Sequence, residues 1–185
     1  MEKNLRDKDN LTLDEFLASY DPNKWPKPSL TADIAIFAKN KADEYQILLI
    51  KRGNHPYIGC AALPGGFANP DENLMGTAKR ELLEETKINN ARLIEMGVYS
   101  EPGRDPRDWT VSQLFGAVVD KDKVDVEAGD DAKDAAWYTI KRKDDGIWLE
   151  SEVESIKLSK ENLAFDHEKM IKEAMNKFNI MLKES

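Results

Sequence analysis

A glycine turn that leads into a helix crowded with carboxylates constrains the fold of this chain more than any other feature. The run from Leu63 to Phe67 reads Leu-Pro-Gly-Gly-Phe, and it predicts a tight turn whose backbone can approach a ligand closely, because glycine has no Cβ. The helix that follows is expected to span roughly Asp71 to Thr86. Glu84 and Glu85 follow Glu81 by three and four positions, so all three project from neighbouring positions on one face of that helix.

Two explanations for this carboxylate cluster are open on the residues alone. Each like-charged pair opposes the helix by only about 0.2–0.5 kcal/mol on a solvated surface, and Arg80 relieves part of the repulsion through Glu84. In a chain with 34% charged residues, a solvated acidic face is unremarkable. Alternatively, three carboxylates on one patch supply the oxygen ligands that a hard divalent cation such as Mg²⁺ requires.

The spacing of the whole segment resembles a known motif. From Gly66 the sequence runs through five residues to Glu72, then through seven more to Arg-Glu-Leu-Leu-Glu-Glu-Thr-Lys-Ile, which begins at Arg80 and ends at Ile88. This is similar to the Nudix box, G-x5-E-x7-R-E-U-x-E-E-x-G-U, in which U is an apolar residue. The chain thus resembles the Nudix hydrolase family, and in particular its ADP-ribose pyrophosphatase-like members.

One position departs from the motif. Lys87 stands where the family has glycine just after the helix. Glycine there normally adopts the left-handed conformation that ends the helix, and this conformation costs a lysine roughly 1 kcal/mol. We therefore expect a shifted helix end, with Asn89 or Asn90 taking over the turn. We expect no loss of activity, because the position carries no chemistry.

The resemblance implies an α/β Nudix fold, in which a mixed β-sheet is sandwiched between helices, with short N- and C-terminal helical extensions. A capping box from Thr12 to Glu15 predicts a short packing helix, and a final helix is expected from Asp166 to about Leu182. Residues 1–29 are interpreted as an N-terminal extension with a Pro-rich connector, and residues 30–185 as the Nudix domain. Strand patterns lie at residues 32–38 and 46–50, which predict a hairpin, at 93–99, 111–119 and 135–140, and near Ile147 and Val153.

The resemblance also implies roles for the box residues. Glu81 and Glu85 are expected to bind Mg²⁺ directly, with Mn²⁺ as an alternative ion, and Glu84 to complete the site or bridge a second ion. The ion neutralises charge that grows on the phosphate oxygens and lowers the pKa of an attacking water. The general base is left open between a box glutamate and the acidic turn from Glu127 to Asp131. The remaining expected participants are the Gly65 carbonyl as a backbone ligand, and Arg80 and Glu72 as residues that orient the cluster.

A second group of chemistry-bearing residues follows the 93–99 strand, where Arg104 and Arg107 lie in a Pro/Gly-stiffened loop of an otherwise acidic chain. Guanidinium forks suit phosphate and ribose recognition. As the alternative, these arginines simply pair with the neighbouring Asp105 and Asp108. The string Gly-Arg-Asp-Pro-Arg is similar to the corresponding loop of ADP-ribose pyrophosphatases and of Nudix-domain regulators of NAD metabolism. The residues expected to bind substrate are Arg52, Arg104, Asp105, Arg107 and Phe67, with Tyr57 and Trp109 as further candidates for base stacking.

The expected reaction is Mg²⁺-dependent hydrolysis of ADP-ribose to AMP and ribose 5-phosphate. One alternative is Nudix hydrolysis of a sugar nucleotide or of an oxidised nucleoside triphosphate. Another, of a different class, is a non-catalytic module that senses ADP-ribose. A small-molecule nucleotide is the expected partner, and a homodimer is left open.

Net charge and chain length argue against nucleic acid and membranes as partners. A net charge of −8 without a dense Lys/Arg run argues against a general nucleic-acid binder. The 18 residues after His167 are too few for the winged helix with which the regulator relatives bind DNA, and His167 itself is expected to pack or cap. No apolar run approaches the roughly 20 residues needed to cross a bilayer, and the single Cys60 fits a reducing compartment. We therefore expect a cytoplasmic protein that binds neither nucleic acid nor membrane.

Overall fold

The chain folds around a mixed β-sheet with helices packed on its two faces, as the sequence predicts. The computed structural model describes residues 5–124 and 132–182. In chain order the elements are α1 (Leu13–Ser19), β1 (Ser29–Lys39), β2 (Tyr45–Arg52), β3 (Ala61–Ala62), β4 (Gly65–Phe67), α2 (Leu74–Thr86), β5 (Ile94–Tyr99), β6 (Thr110–Val118), β7 (Ala132–Lys143), β8 (Gly146–Glu150), β9 (Ser155–Lys157) and α3 (His167–Lys177), with a 3₁₀ turn at Lys121–Lys123. None of the helices in these ranges is long and apolar enough to cross a membrane.

The central strand β1 is buried on both faces, which explains its nearly continuous apolar sequence. Because side chains alternate along a strand, Ile34 and Ile36 pack on the side of α2, whereas Ala35 and Phe37 pack on the side of α3. Each helix covers one of these two clusters with its own apolar residues. The sheet therefore lies between α2 and α3.

A fork between β1 and β2 brings the glycine turn into the centre of the sheet. The strand order is β5-β6-β1-β2-β7-β8-β9, and only the β1–β6 pair is parallel among the described strands. β1 pairs with β2 only near their hairpin turn, from Phe37 to Lys39, and its first half pairs with β4 instead. β3 pairs with the end of β2. Where β1 and β2 are not paired with each other, the backbone N–H of Ile34 in β1 donates to the Pro64 carbonyl at 2.9 Å.

Most of the predicted elements are confirmed, with shifted ends. The hairpin of β1 and β2 and the later strands lie where the sequence places them, but β3 and β4 were not predicted. The last three residues of the predicted glycine turn, Gly65–Phe67, form β4 and pair with β1. α3 ends at Lys177, five residues before the expected Leu182, and Asn179 in that following segment has φ +51°. The division of the chain into an N-terminal extension, residues 1–29, and a domain from residue 30 onwards stays a prediction.

The capping box of α1 is confirmed, but the expected packing role is wrong. The Thr12 hydroxyl accepts from the Glu15 backbone N–H, and the Glu15 carboxylate accepts from the Thr12 backbone N–H. None of the α1 residues is buried. The apolar spacing that suggested packing therefore leaves Phe16 and Leu17 exposed.

The predicted shift of the α2 end is also wrong. The helix ends at Thr86, and Lys87 itself takes the left-handed conformation, with φ 63° and ψ 6°. The Lys87 N–H donates to the Leu83 carbonyl at 3.0 Å, and Ile88 is buried directly afterwards. This hydrogen bond and the buried contact hold the turn against the strain at Lys87.

We expect Lys87→Gly to raise the free energy of unfolding by about 0.5–1 kcal/mol, because glycine adopts this conformation without a steric penalty. Urea denaturation measures the difference. The matched control is Lys79→Gly, an exposed position inside α2, which should lower stability by about 1 kcal/mol. A destabilised Lys87→Gly variant would contradict the left-handed helix end.

Candidate active site

The start of α2 is set by a side-chain cap. Asn73 precedes the helix, and its side chain accepts from the Gly76 N–H at 2.8 Å. The helix thus begins at Leu74, three residues after the expected start. Ala78 and Leu82 are buried in the cluster beside β1, and this anchors the helix against the sheet. The carboxylate-bearing side of the helix is left next to the glycine turn.

The glycine turn and the helix touch through two glutamates. The Gly65 N–H donates to Glu85 Oε2 at 2.9 Å. A Cβ on Gly66 would lie 2.3 Å from Glu81 Oε1, and a Cβ on Gly65, whose φ is +155°, would lie 2.2 Å from the Ala32 carbonyl oxygen. No side chain fits at either glycine without displacing a neighbour. The Gly-Gly pair is therefore required by close approach on both sides of the turn.

Arg80 connects the other carboxylates of the segment. Its Nη2 donates to Glu72 Oε1 at 2.7 Å, and its Nη1 donates to Glu81 Oε1 at 2.7 Å and to Glu84 Oε2 at 3.1 Å. Nη2 also donates to the Phe67 carbonyl at 2.9 Å. One guanidinium thus links the helix to Phe67 at the end of β4 and to Glu72 in the loop that follows.

The carboxylates differ in how well their charge is compensated. The hydrogen bond from Arg80 holds the pKa of Glu72 down at about 2. Burial raises the pKa of Glu81, although Arg80 opposes the rise. Burial raises the pKa of Glu85 to about 8 against the hydrogen bond from Gly65, and the charges of Glu81 and Asp33 add to this rise. Glu85 is therefore the carboxylate with the greatest need for a nearby cation.

The predicted metal ligands are neighbours, but their oxygens do not converge. Within residues 5–124 and 132–182, no group of three or more acidic, His or Cys side chains is arranged to hold a metal ion. Glu84 is 57% exposed and Glu81 is tied to Arg80, which acts as an internal counter-ion. The donor set still fits a hard divalent cation, because it consists of carboxylate and carbonyl oxygens around an under-compensated Glu85.

We expect the metal-free protein to lose stability as the pH rises from about 4.5 to about 8. The pKa of Glu85 is higher in the folded protein than its unfolded value, so the folded state holds an extra proton in this range, and raising the pH favours unfolding. The expected loss is about 2–4 kcal/mol after allowing for partial exposure. Urea denaturation in EDTA at several pH values measures it. Glu85→Gln should flatten most of this slope, and an unchanged slope would contradict the assignment.

A polar cleft lies next to the carboxylates and brings the predicted substrate residues together. It has a volume of about 160 Å³ and includes Gly65 and Gly66 in its wall. All five side chains expected to bind substrate line it, and so do several that were not predicted to bind substrate. The five are Arg52, Arg104, Asp105, Arg107 and Phe67; the others include Thr31, Asp33, Phe165 and His167.

The arginines of the cleft have protein partners. The buried Arg104 side chain, only 4% exposed, donates from Nε and Nη2 to Asp166 at 3.0 and 2.6 Å. Arg107 pairs with Asp105 at 2.6 Å, which is one of the two pairings considered as the alternative to substrate binding. Arg52 Nε donates to the Pro56 carbonyl at 2.8 Å. A substrate anion would therefore share these cations with groups already bound to them.

Sequence reasoning missed a buried network under the cleft. Asp33 accepts a hydrogen bond from the Ser112 hydroxyl and lies 3.4 Å from His167 Nε2, while His167 Nδ1 accepts from the Leu63 N–H at 2.9 Å. Nε2 therefore carries the proton. Burial raises the pKa of Asp33, but His167, Ser112 and Arg104 outweigh it and keep the pKa below its ordinary value. A charged residue inside the apolar β1 sequence was the available signal.

The structure describes one further residue that the sequence singled out, His167, and does not describe the predicted acidic turn. His167 is buried as expected, although it ties the glycine turn to Asp33 as well as packing. The acidic turn from Glu127 to Asp131 lies outside the described residues.

Comparison with known proteins gives a consistent result. The NUDIX domain family model matches residues 28–153. The chain is 34% identical to the ADPR responsive transcriptional repressor NtrR of Acinetobacter baylyi over 166 residues. These aligned residues make up 89% of this chain and 60% of that relative. It is 39% identical to the ADP-ribose pyrophosphatase of Methanocaldococcus jannaschii over 148 residues. These aligned residues make up 80% of this chain and 73% of that relative. The chain thus spans less than two thirds of the length of the repressor.

Solved structures share the fold. A MutT/nudix family protein from Enterococcus faecalis has a TM-score of 0.80 and 34% identity, over 91% of this chain and 70% of that one. The NUDIX domain of Shewanella oneidensis NrtR, complexed with ADP ribose, has a TM-score of 0.72 and 27% identity, over 91% of this chain and 99% of that one.

Proposed function

The chain belongs to the NUDIX family, and from this membership we propose that it is a Mg²⁺-dependent hydrolase that converts ADP-ribose to AMP and ribose 5-phosphate. The observation that carries the proposal is the contact between the Gly65–Gly66 turn and the glutamates of α2. There the Gly65 N–H holds Glu85, and Gly66 leaves room for Glu81. Such a contact fixes two carboxylates beside a backbone that a diphosphate can approach.

We assign the metal to the oxygens of this contact. Glu81, Glu85 and the Gly65 carbonyl would hold the ion, with Glu84 completing the site or bridging a second one. When bound, the cation neutralises charge on the phosphate oxygens and makes a water more acidic. Arg80 holds Glu81 and Glu84 in reach of the site, and Glu72 fixes Arg80 in turn. Water adds to one phosphorus, the bond from the bridging oxygen to that phosphorus breaks, and the bridging oxygen leaves with the other phosphate.

The cleft supplies the contacts to the rest of the substrate. Arg52, Arg104 and Arg107 place three guanidinium groups around a small volume next to the glycine turn, and guanidinium groups suit diphosphate and ribose oxygens. Similarity to an ADP-ribose pyrophosphatase, and to a NUDIX domain that was crystallised with ADP ribose, supports ADP-ribose as the substrate.

A second candidate function is binding of ADP-ribose without turnover. It is favoured by the similarity to an ADPR responsive repressor, of which this chain spans 60% of the length. The complete set of box glutamates and Arg80 favours turnover, because a module that only binds has no need of carboxylates that carry a catalytic metal.

An assay with a panel of substrates tests the proposal. Purified protein with Mg²⁺ is incubated with ADP-ribose, NADH, sugar nucleotides and nucleoside triphosphates, and the products are separated by chromatography. The proposal expects ADP-ribose to be cleaved fastest, giving AMP. Faster cleavage of a sugar nucleotide or a triphosphate would change the assigned substrate but would leave the assigned reaction, hydrolysis of a diphosphate, in place. Binding of ADP-ribose without AMP release would favour the sensing function.

A further inference from the structure

The chain segment before α3 lies along the start of the glycine turn as a short piece of parallel ladder. The Ala61 N–H donates to the Asn162 carbonyl at 3.1 Å, and the Ala164 N–H donates to the Ala61 carbonyl at 2.9 Å. In a regular parallel ladder the next hydrogen bond would run from the Leu63 N–H to the Ala164 carbonyl. That carbonyl instead accepts from the His167 N–H at 3.1 Å, and the Leu63 N–H donates to the imidazole of His167. The His167 side chain therefore replaces the backbone as the acceptor where the glycine turn begins.

The other nitrogen of this imidazole faces a buried charge. His167 Nε2 lies 3.4 Å from Asp33 Oδ1, and a Cβ on Gly65 would lie only 2.9 Å from the same oxygen. A buried backbone N–H needs an acceptor, but it needs no charged residue behind that acceptor. Burying a carboxylate also costs far more free energy than burying an apolar side chain. A charge placed beneath the turn is therefore typical of a residue that serves the neighbouring site.

Asp166, which directly precedes His167, contacts the other half of the site. It stands at the N-cap position of α3, where aspartate is a preferred residue, but its side chain makes no capping hydrogen bond to the described residues of α3. Both of its carboxylate oxygens accept from Arg104 instead. Arg104 lies 3.9 Å from Asp33, so the same buried carboxylate borders both contacts. The helix thus lacks a cap, and the carboxylate that could supply it fixes a cation of the cleft.

We propose that these two consecutive residues divide the positioning of the site between them. His167 positions the glycine turn, and with it the Gly65 backbone next to Glu85, for the metal. Asp166 positions Arg104 for the substrate. Both are positioning residues, because each acts through the residue that it holds. This inference rests on the proposed function, which assigns the metal to the contact between the turn and the glutamates of α2.

Two binding measurements separate the two halves of the site, and neither requires turnover. The loss of the free Mn²⁺ signal in electron paramagnetic resonance gives the Kd of Mn²⁺ in the absence of substrate. Calorimetry in EDTA gives the Kd of ADP-ribose in the absence of metal. Replacing a residue that holds metal ligands in place typically costs about 10- to 100-fold in metal affinity.

Substitutions of His167 test the metal half. Leucine and asparagine have nearly the same shape, but the amide oxygen of asparagine lies one bond beyond Cγ, as Nδ1 of histidine does. His167→Leu should raise the Kd of Mn²⁺ by about 10-fold or more, and His167→Asn should restore most of the affinity, because it can still accept from the Leu63 N–H. The Kd of ADP-ribose in EDTA should change little in both. A role in packing alone predicts that His167→Leu is at least as good as His167→Asn, because asparagine buries an amide.

His167→Gln keeps the test possible if His167→Leu does not fold. Its longer side chain can still donate to Asp33, so the buried carboxylate keeps a partner, but its amide oxygen lies too far from Cγ to replace Nδ1. It should therefore weaken Mn²⁺ binding as His167→Leu does.

Asp166→Asn tests the substrate half and should have the reverse effect. It should raise the Kd of ADP-ribose in EDTA by about 10-fold or more, because it removes a charged partner of Arg104, and it should leave the Kd of Mn²⁺ unchanged. The matched control is Met175→Ala, a buried position two turns further along α3. It should lower stability by leaving a cavity, but it should change neither Kd.

Several outcomes would overturn the proposal. An unchanged Kd of Mn²⁺ in folded His167→Leu or His167→Gln, or an equal loss in His167→Asn, overturns the role of His167. An unchanged Kd of ADP-ribose in Asp166→Asn overturns the division between the two residues. If the unaltered protein binds no Mn²⁺, the assigned metal site fails together with this proposal. If it binds Mn²⁺ but does not cleave ADP-ribose, the proposed function fails alone, because both Kd values still measure the two positioning roles.

Discussion

Glu85→Gln is expected to lower kcat for ADP-ribose hydrolysis by about 10³-fold or more while the protein stays folded. The expected size reflects the loss of a metal ligand that both neutralises transition-state charge and activates water. Folding should survive, because the amide oxygen can still accept the hydrogen bond from Gly65 that the Glu85 carboxylate now accepts at 2.9 Å. The substitution also removes a carboxyl group whose pKa is raised to about 8 mainly by burial.

Steady-state kinetics at saturating Mg²⁺, with circular dichroism as the check on folding, measures the effect. The matched control is Glu95→Gln, an exposed glutamate on β5, which should keep full activity. Glu84→Gln is also expected to lower turnover by orders of magnitude, although Glu84 is the most exposed of the three. Full activity in both Glu85→Gln and Glu84→Gln would contradict the assignment of the site.

Gly66→Ala is expected to lower turnover by about 100-fold and to raise the Mg²⁺ concentration needed for half-maximal rate. The added Cβ would lie 2.3 Å from Glu81 Oε1 and 2.5 Å from its Cδ, so the carboxylate must move by an ångström or more. A misplacement of about 1 Å at a reacting centre can cost about 10²-fold in rate. Stability should change little, because the clash is with the end of a flexible side chain.

The control for Gly66→Ala is Gly97→Ala on β5. A Cβ there would meet only the Tyr99 ring, at an ordinary 3.7 Å, and neither rate nor metal dependence should change. Rates and half-maximal Mg²⁺ are compared across a metal titration for the three proteins. If Gly66→Ala keeps the metal dependence of the unaltered protein, Glu81 does not need its present position.

The box could be predicted from the sequence because its parts are close along the chain. The turn, Glu72, Arg80 and the three glutamates lie within about twenty residues, and helical spacing relates most of them directly. The positions of most strands along the chain followed from residue patterns that are equally local, whereas the order of the strands in the sheet was not predicted. Local rules were less reliable at element ends: Lys87 ends α2 itself, because a hydrogen bond to Leu83 and the burial of Ile88 outweigh its steric cost.

The cleft could be predicted only in part, because its contacts join distant segments. Arg104 and Arg107 were visible as cations, but the pairing of Arg104 with Asp166 crosses 62 residues. The Leu63 N–H and His167 are separated by 104 residues. Phe165 was not predicted to line the cleft, since neither its backbone conformation nor its approach to Arg107 leaves a trace in residue spacing.

Phosphorus NMR of ADP-ribose mixed with the protein tests the central claim most directly. We expect that the diphosphate signals persist in EDTA and that, on addition of Mg²⁺, they are replaced by two phosphomonoester signals, one from AMP and one from ribose 5-phosphate. Diphosphate signals that broaden through binding but persist for hours with Mg²⁺ would contradict it, and would leave a protein that binds ADP-ribose without cleaving it.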